Sequence, residues 1–483
     1  MPDAVQLNEL TRGSNDSQSD SAVEKRSNKV EFAPEVSAVE AGIAQEPVPY
    51  RLYRWRWVGL FAMFCLNGVG GMVQPWFGPI ANDVSSDFHI SLTRVNWLMN
   101  IVVLCYLPVA SFTPLLVERY GLRRVCDIGA LSLITSAWIR FAATPKSLSV
   151  NGAYAIFFIA QLIGAIAQAV YQVIIPKYSE NWFDLKSRTT ATMIMAVANP
   201  VGGAIGTIIS PEIGDTRRSI LVLAIITTVA CPTTFLVRNY PPSPPTFSGG
   251  QPSQPFRSLV DALRGKETIP EAHMTTRERI DFGILTFTFA VLVTATNVFS
   301  ILNAQYIQPY GYSSDVAGLM GATLLVVGLV CAFITSPLFD RVMTHHLGIT
   351  IKTLCPIVGA GWLSLIWAIR PNNTAALFVI MAVIGACSVT ILPVGLEMGC
   401  ELTRNAEGSS AIMWFMANAL SFIFLLVEDA MRAGKNANPP LNMHRAIIFN
   451  GVWVFALSLS VLFFQGKQAR RAVDEQRQRA QTS

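Results

Sequence analysis

The chain has 483 residues, 52% of them hydrophobic and only 14% charged, where an ordinary soluble domain carries roughly a quarter charged residues. That depletion excludes a soluble enzyme. The net charge of +5 gives no nucleic-acid partner, because the basic residues gather at one end of a series of apolar runs.

Residues 1–49 form a polar tail rich in Ser, Glu and Asp, expected to be disordered, with no cleavable signal peptide visible. Twelve apolar runs follow: Trp57–Ile80, Asn96–Val117, Val125–Ala143, Ala153–Ile175, Thr190–Ile209, Ile220–Val237, Phe282–Leu302, Ala317–Phe339, Ile349–Ile369, Ala375–Cys400, Ala411–Val427 and Ala446–Phe464. Each is long enough to cross a hydrocarbon layer of roughly 30 Å. Lipid offers backbone groups no partners, so the runs are helical, and they are too long and apolar for barrel strands. The fold class expected is an all-α membrane protein of twelve transmembrane helices, numbered here as spans 1 to 12.

The connection from Arg238 to Asp281 divides the spans six and six. It opens on Pro241-Pro-Ser-Pro-Pro245 and continues polar, which predicts an exposed, partly disordered linker over 241–280 between halves 50–240 and 281–466. A basic tail occupies 467–483. Arg51, Arg54 and Arg56, then Arg119, Arg123 and Arg124, then Lys177, Lys186 and Arg188, the linker cations and finally Lys467, Arg470 and Arg471 all fall on one side. The positive-inside rule places that side, and both termini, in the cytoplasm. Arg217, Arg218, Arg432 and Lys435 run against it. The plasma membrane is the expected location, with an internal membrane as the alternative.

The eight cysteines lie mostly inside apolar runs without metal-type spacing and read as small apolar fillers. No metal site, cofactor, nucleotide-binding loop or intramembrane nucleophile motif is legible, so neither an enzyme nor direct ATP drive is expected. None of the five histidines falls inside an apolar run, and span 4 has no arginine at its middle. The simplest expectation is therefore facilitated, gradient-driven movement of a small solute by a monomer in the bilayer.

Polar residues inside a membrane face protein or water, since lipid penalises them. In span 4, Gln161, Gly164, Ala165, Gln168 and Gln172 recur at helical spacing and share an inward face. Gln161 and Gln172 are expected to make packing hydrogen bonds between helices. Gln168 offers an acceptor and two donors for a hydroxyl or amine head group. Trp76 either holds a cation against its ring or anchors span 1 at the interface. Pro75 and Pro79 break or kink that span. Asn199 belongs to a weak point in span 5, Asn199-Pro-Val-Gly-Gly203. Asn297 of span 7, with Trp414 and Asn418 four residues apart on span 11, complete the candidate cavity. Glu397 and Glu401 lie one turn apart in span 10 and are read as gating or pairing groups.

Glu118-Arg119-Tyr-Gly-Leu-Arg123-Arg124 follows span 2, and Asp340-Arg341 follows span 8, the matching span of the second half. An acid–Arg pair repeated in two six-helix halves resembles the major facilitator fold, in which the solute site lies between the halves near mid-membrane. On that resemblance these charges close one face of the seam; the plainer alternative is positive-inside anchoring. Four stretches are similar to the feline leukaemia virus subgroup C receptor-related (FLVCR) solute carriers: Val95-Asn-Trp-Leu98 with Gly121-Leu-Arg123; Ala167–Pro176 with Asn181-Trp-Phe183; Ala198–Gly203; and Leu392–Ser410. The resemblance implies transport of choline- or ethanolamine-like solutes, with haem or another organic solute as the alternative. It puts Gln168 on the family's cavity glutamine. It puts Gln74, or Trp76 two residues on, at the cavity aromatic of span 1, and Asn297 at an aromatic of span 7. A reading of another class, a receptor that binds without transporting, lacks a segment apolar enough to fold as a signalling domain.

Overall fold

The computed structural model describes residues 50–468 apart from 74, 79, 251–254, 267–272, 342–345 and 435. Among the described residues eleven helices are long and apolar enough to cross a membrane. They are α1 (Trp55–Val73), α2 (Leu92–Ala142), α3 (Val150–Trp182), α4 (Arg188–Glu212), α5 (Thr216–Ala230, continued by a 3-10 turn to Leu236), and α7 to α12. The last six are Thr276–Ile307, Ser314–Arg341, Leu347–Ala368, Thr374–Thr403, Ala406–Ala430 and His444–Ser458. A shorter helix, α6 (Phe256–Leu263), lies in the linker.

Eleven helices hold the twelve expected spans because α2 contains two. Its 51 residues are interrupted at Gly121, whose φ of 78° and ψ of 162° no helix contains. A side chain is disfavoured at that φ, so glycine supplies the reversal between spans 2 and 3. From α7 onward each helix carries the span of the same number, while α3, α4 and α5 carry spans 4, 5 and 6.

Within each half the helices approach closely where side chains are missing. A Cβ on Gly202 of α4 would lie 1.8 Å from the carbonyl oxygen of Gly68 in α1, and one on Gly385 of α10 would lie 2.0 Å from that of Leu324 in α8. Small residues let backbones meet in this way where lipid provides no hydrophobic drive. The Gly203 neighbourhood in span 5 is thus a packing feature. Helix α1 stops at Val73 and Pro75–Phe77 forms a 3-10 turn, as the proline at 75 predicts; Pro79 lies outside the described residues.

The linker departs from its expectation where it is described. Pro245, Thr246 and Gly249 are buried, the Arg51 N–H donates to the Pro244 carbonyl at 3.2 Å, and Leu259 and Ala262 of α6 are buried. Leu259 packs close to Gly408 at the start of α11, and the Phe256 N–H donates to Glu118 at the end of span 2. Composition registered the prolines and serines but could not register the surface they cover. This end of the bundle is called the linker end below.

Candidate functional site

At the linker end the halves are joined through buried charge. Lys177 of α3 lies 3.2 Å from Glu180 on its own helix and 3.9 Å from Glu407 of α11 in the other half. Arg188 of α4 lies 3.8 Å from Glu397 of α10, again across the seam. Both arginine and lysine are almost fully buried, at 2% and 4% exposure. Arg188 also donates to Thr246 Oγ1 at 2.9 Å and to Ser248 Oγ at 3.4 Å, so the linker is part of the same plug. Helix α11 is set in place by its cap, where Asn405 Oδ1 accepts from the Gly408 N–H at 2.8 Å. That start puts Glu407 and Ser410 against α3.

The gating charges expected from the loop motif sit elsewhere. Glu118, Arg119, Arg123 and Arg124 are exposed and form no ion pair among the described residues. Arg119 stacks over Tyr120 at 5.6 Å, and the backbone N–H of Arg123 donates to Asn239 at 2.8 Å. The side chains of Asp340 and Arg341 lie outside the described residues. Glu397 does pair across the seam, and Glu401 beside it is buried at 2% exposure. The partners Lys177 and Arg188 read in the sequence as loop cations. They stand on helices because α3 and α4 run past the apolar runs that hydropathy marks.

One turn further into the bundle the seam becomes uncharged. Ser410 Oγ of α11 approaches the Gln172 carbonyl of α3 at 3.5 Å. Helix α3 runs toward the linker end and α11 away from it. Gln168, four residues before Gln172, and Trp414, four after Ser410, are therefore each displaced one turn, about 5.4 Å, in the same direction. Residues four apart share a helix face, so Gln168 and Trp414 stand at one level on the two facing helices. Gln168 is 9% exposed and Trp414 7%. The Trp414 ring meets Phe289 of α7 edge-on at 5.3 Å, and its indole N–H has no partner among the described residues.

The other amides are occupied within their own halves. Asn199 Nδ2 donates to the Asn67 carbonyl at 3.4 Å, while Asn67 Nδ2 donates to the Met195 carbonyl at 2.8 Å, which ties α1 to α4. Asn297 donates to Ser421 at 3.4 Å and Asn418 to the Trp414 carbonyl at 2.9 Å. Trp76 is fully buried among apolar residues and donates from Nε1 to Ser219 of α5 at 3.2 Å, so its ring is covered in this structure. Gln74 lies outside the described residues. Gln161 makes the expected bond between helices: its Oε1 accepts from Arg140 of span 3 at 2.5 Å. Arg140 itself is 1% exposed and stacked on Phe77 at 5.2 Å, and the apolar run of span 3 around it masks its charge in the hydropathy pattern. Among the described residues none of the eight cysteines forms a disulfide.

Two six-helix halves meeting along a seam, charged at one end and polar-aromatic further in, form a carrier architecture. Residues 57–425 match the Major Facilitator Superfamily. The chain belongs to that family. It is an integral, multi-pass membrane protein of the major facilitator transporters. Among curated proteins it is 25% identical over 445 residues to solute carrier family 49 member A3 of Xenopus tropicalis, covering 87% of this chain and 89% of the relative. It is 25% identical over 425 residues to the choline/ethanolamine transporter flvcr2a of Danio rerio, covering 84% and 86%. The choline/ethanolamine transporter FLVCR2 of Homo sapiens is 22% identical over 413 residues, covering 80% and 74%. In fold it is similar to the proton:xylose symporter XylE, with a TM-score of 0.58, 16% identity, and coverage of 85% of this chain and 97% of that one.

Proposed function

We propose that this facilitator carries a small organic solute of the choline or ethanolamine kind by alternating access, with Gln168 and Trp414 as facing walls of its site. The observation that carries the reading is their common level, one turn beyond the contact of Gln172 with Ser410. An amide binds a hydroxyl or amine by hydrogen bonds, and an indole face attracts an ammonium group. Phe289 holds the indole edge-on and limits its rotation. The names of the FLVCR relatives agree with that solute class.

With the basic side in the cytoplasm, the buried pairs Lys177–Glu407 and Arg188–Glu397 close the cytoplasmic mouth. Inward opening then requires both pairs and the Arg188–Thr246 bond to part together. A solute that binds the intermediate better than either open state lowers the cost of that rearrangement. Uptake of labelled choline into cells producing the protein is the test. Saturable uptake that falls at least tenfold in Gln168→Ala and in Trp414→Ala is the expected result. Saturable uptake unchanged in both variants removes these residues from the site.

A further inference from the structure

Phe289 of α7 touches Trp414 across a space that one glycine keeps open. Its ring is 5% exposed and meets the indole edge-on at 5.3 Å. The same ring lies against Gly395 of α10. A Cβ on Gly395 would fall 3.3 Å from Phe289 Cδ2 and 3.9 Å from Met413 Cε. The first spacing is tighter than an ordinary contact, so a methyl at 395 displaces the ring by a few tenths of an ångström. Val394, Leu396 and Met413 around it are fully buried, and close-packed side chains pass such a displacement on rather than absorb it.

These residues sit just inside the seam charges. Gly395 precedes Glu397 by two residues on a helix that runs toward the linker end, which sets it about 3 Å further into the bundle. Asn297 stands eight residues beyond Phe289 on α7, about 12 Å toward the opposite end, and bonds Ser421. The side chain that span 7 places on the indole is therefore Phe289.

We infer that Phe289, held at its depth by Gly395, sets how bulky an ammonium head the space between Gln168 and Trp414 admits. It is a positioning residue for selectivity between a quaternary and a primary ammonium. The inference rests on the reading of Gln168 and Trp414 as facing walls of the site. A trimethylammonium head binds only through ring-face and van der Waals contact, so it responds to small movements of the wall. A primary ammonium is narrower and donates hydrogen bonds, which an amide oxygen accepts whether or not the indole advances. A methyl at 395 presses Phe289 onto Trp414 and penalises the bulkier head more.

Uptake of labelled choline and of labelled ethanolamine into cells producing the full chain is the test. The readout is the KM for choline divided by that for ethanolamine, which the amount of folded protein does not change. The ratio rises at least about threefold in Gly395→Ala and falls at least about threefold in Phe289→Leu, whose smaller side chain lets the wall recede. In the double variant the leucine vacates the room that the methyl needs, and the ratio returns to within about twofold of the unaltered protein. A ratio unchanged in Gly395→Ala, or still raised in the double variant, overturns the inference, while uptake by the unaltered protein leaves the solute reading standing. Should Gly395→Ala fail to fold, an unchanged ratio in Phe289→Leu overturns it equally. No saturable uptake of either solute by the unaltered protein overturns the solute reading itself, and this inference with it.

Discussion

Two sets of charges stand at the linker end, and burial separates them. Glu118, Arg119, Arg123 and Arg124 carry the motif that marks the family, yet they are exposed. Lys177, Glu180, Arg188, Glu397 and Glu407 lie outside that loop motif, yet they are buried at the seam. Exposed ion pairs contribute little, because water competes for both partners. Removing one partner of a buried pair strands the other in a medium that does not solvate it. The lesson is that buried pairing across the seam depends on where helices bring charges, not on where the charge pattern is most conspicuous.

The difference sets an order of expected effects. Lys177→Met leaves Glu180 and Glu407 buried without their cation, costing the closed state about 3–5 kcal/mol. A cysteine introduced by Ser410→Cys is then alkylated more than a hundredfold faster than with Lys177 intact. Glu397→Gln is expected to be milder, on the order of 1–3 kcal/mol, because Arg188 keeps Thr246 and Ser248; the same alkylation rate measures it. Thr246→Ala removes one linker bond to Arg188 and should cost about 1 kcal/mol, read as an approximately fivefold rise in that rate. Arg119→Ala, at an exposed position, should stay within about 0.5 kcal/mol and leave the rate unaltered. A large effect there, with Lys177→Met silent, would invert the comparison.

The carrier reading was legible because polar side chains in apolar runs have few places to go. Gln168 belongs in this class: its spacing with Gln161 and Gln172 marks an inward face, and its side chain is 9% exposed. Asn199, Asn297 and Asn418 looked equivalent, but each bonds inside its own half. An amide in a helix advertises a need for a partner, and only packing says whether the partner is a neighbour or a solute. Glu428, at 0% exposure, lies one residue past the apolar run ending at Val427, where hydropathy does not mark it.

The sequence by itself determined twelve membrane crossings, their division into halves and the basic side, because hydropathy, run length and charge asymmetry act locally along the chain. The tertiary structure decided which charges pair across the seam, how the linker packs over it and which amides bond within their own half. Those outcomes depend on distances between residues far apart in sequence, such as Lys177 and Glu407 at 3.9 Å, and local patterns carry no record of such distances.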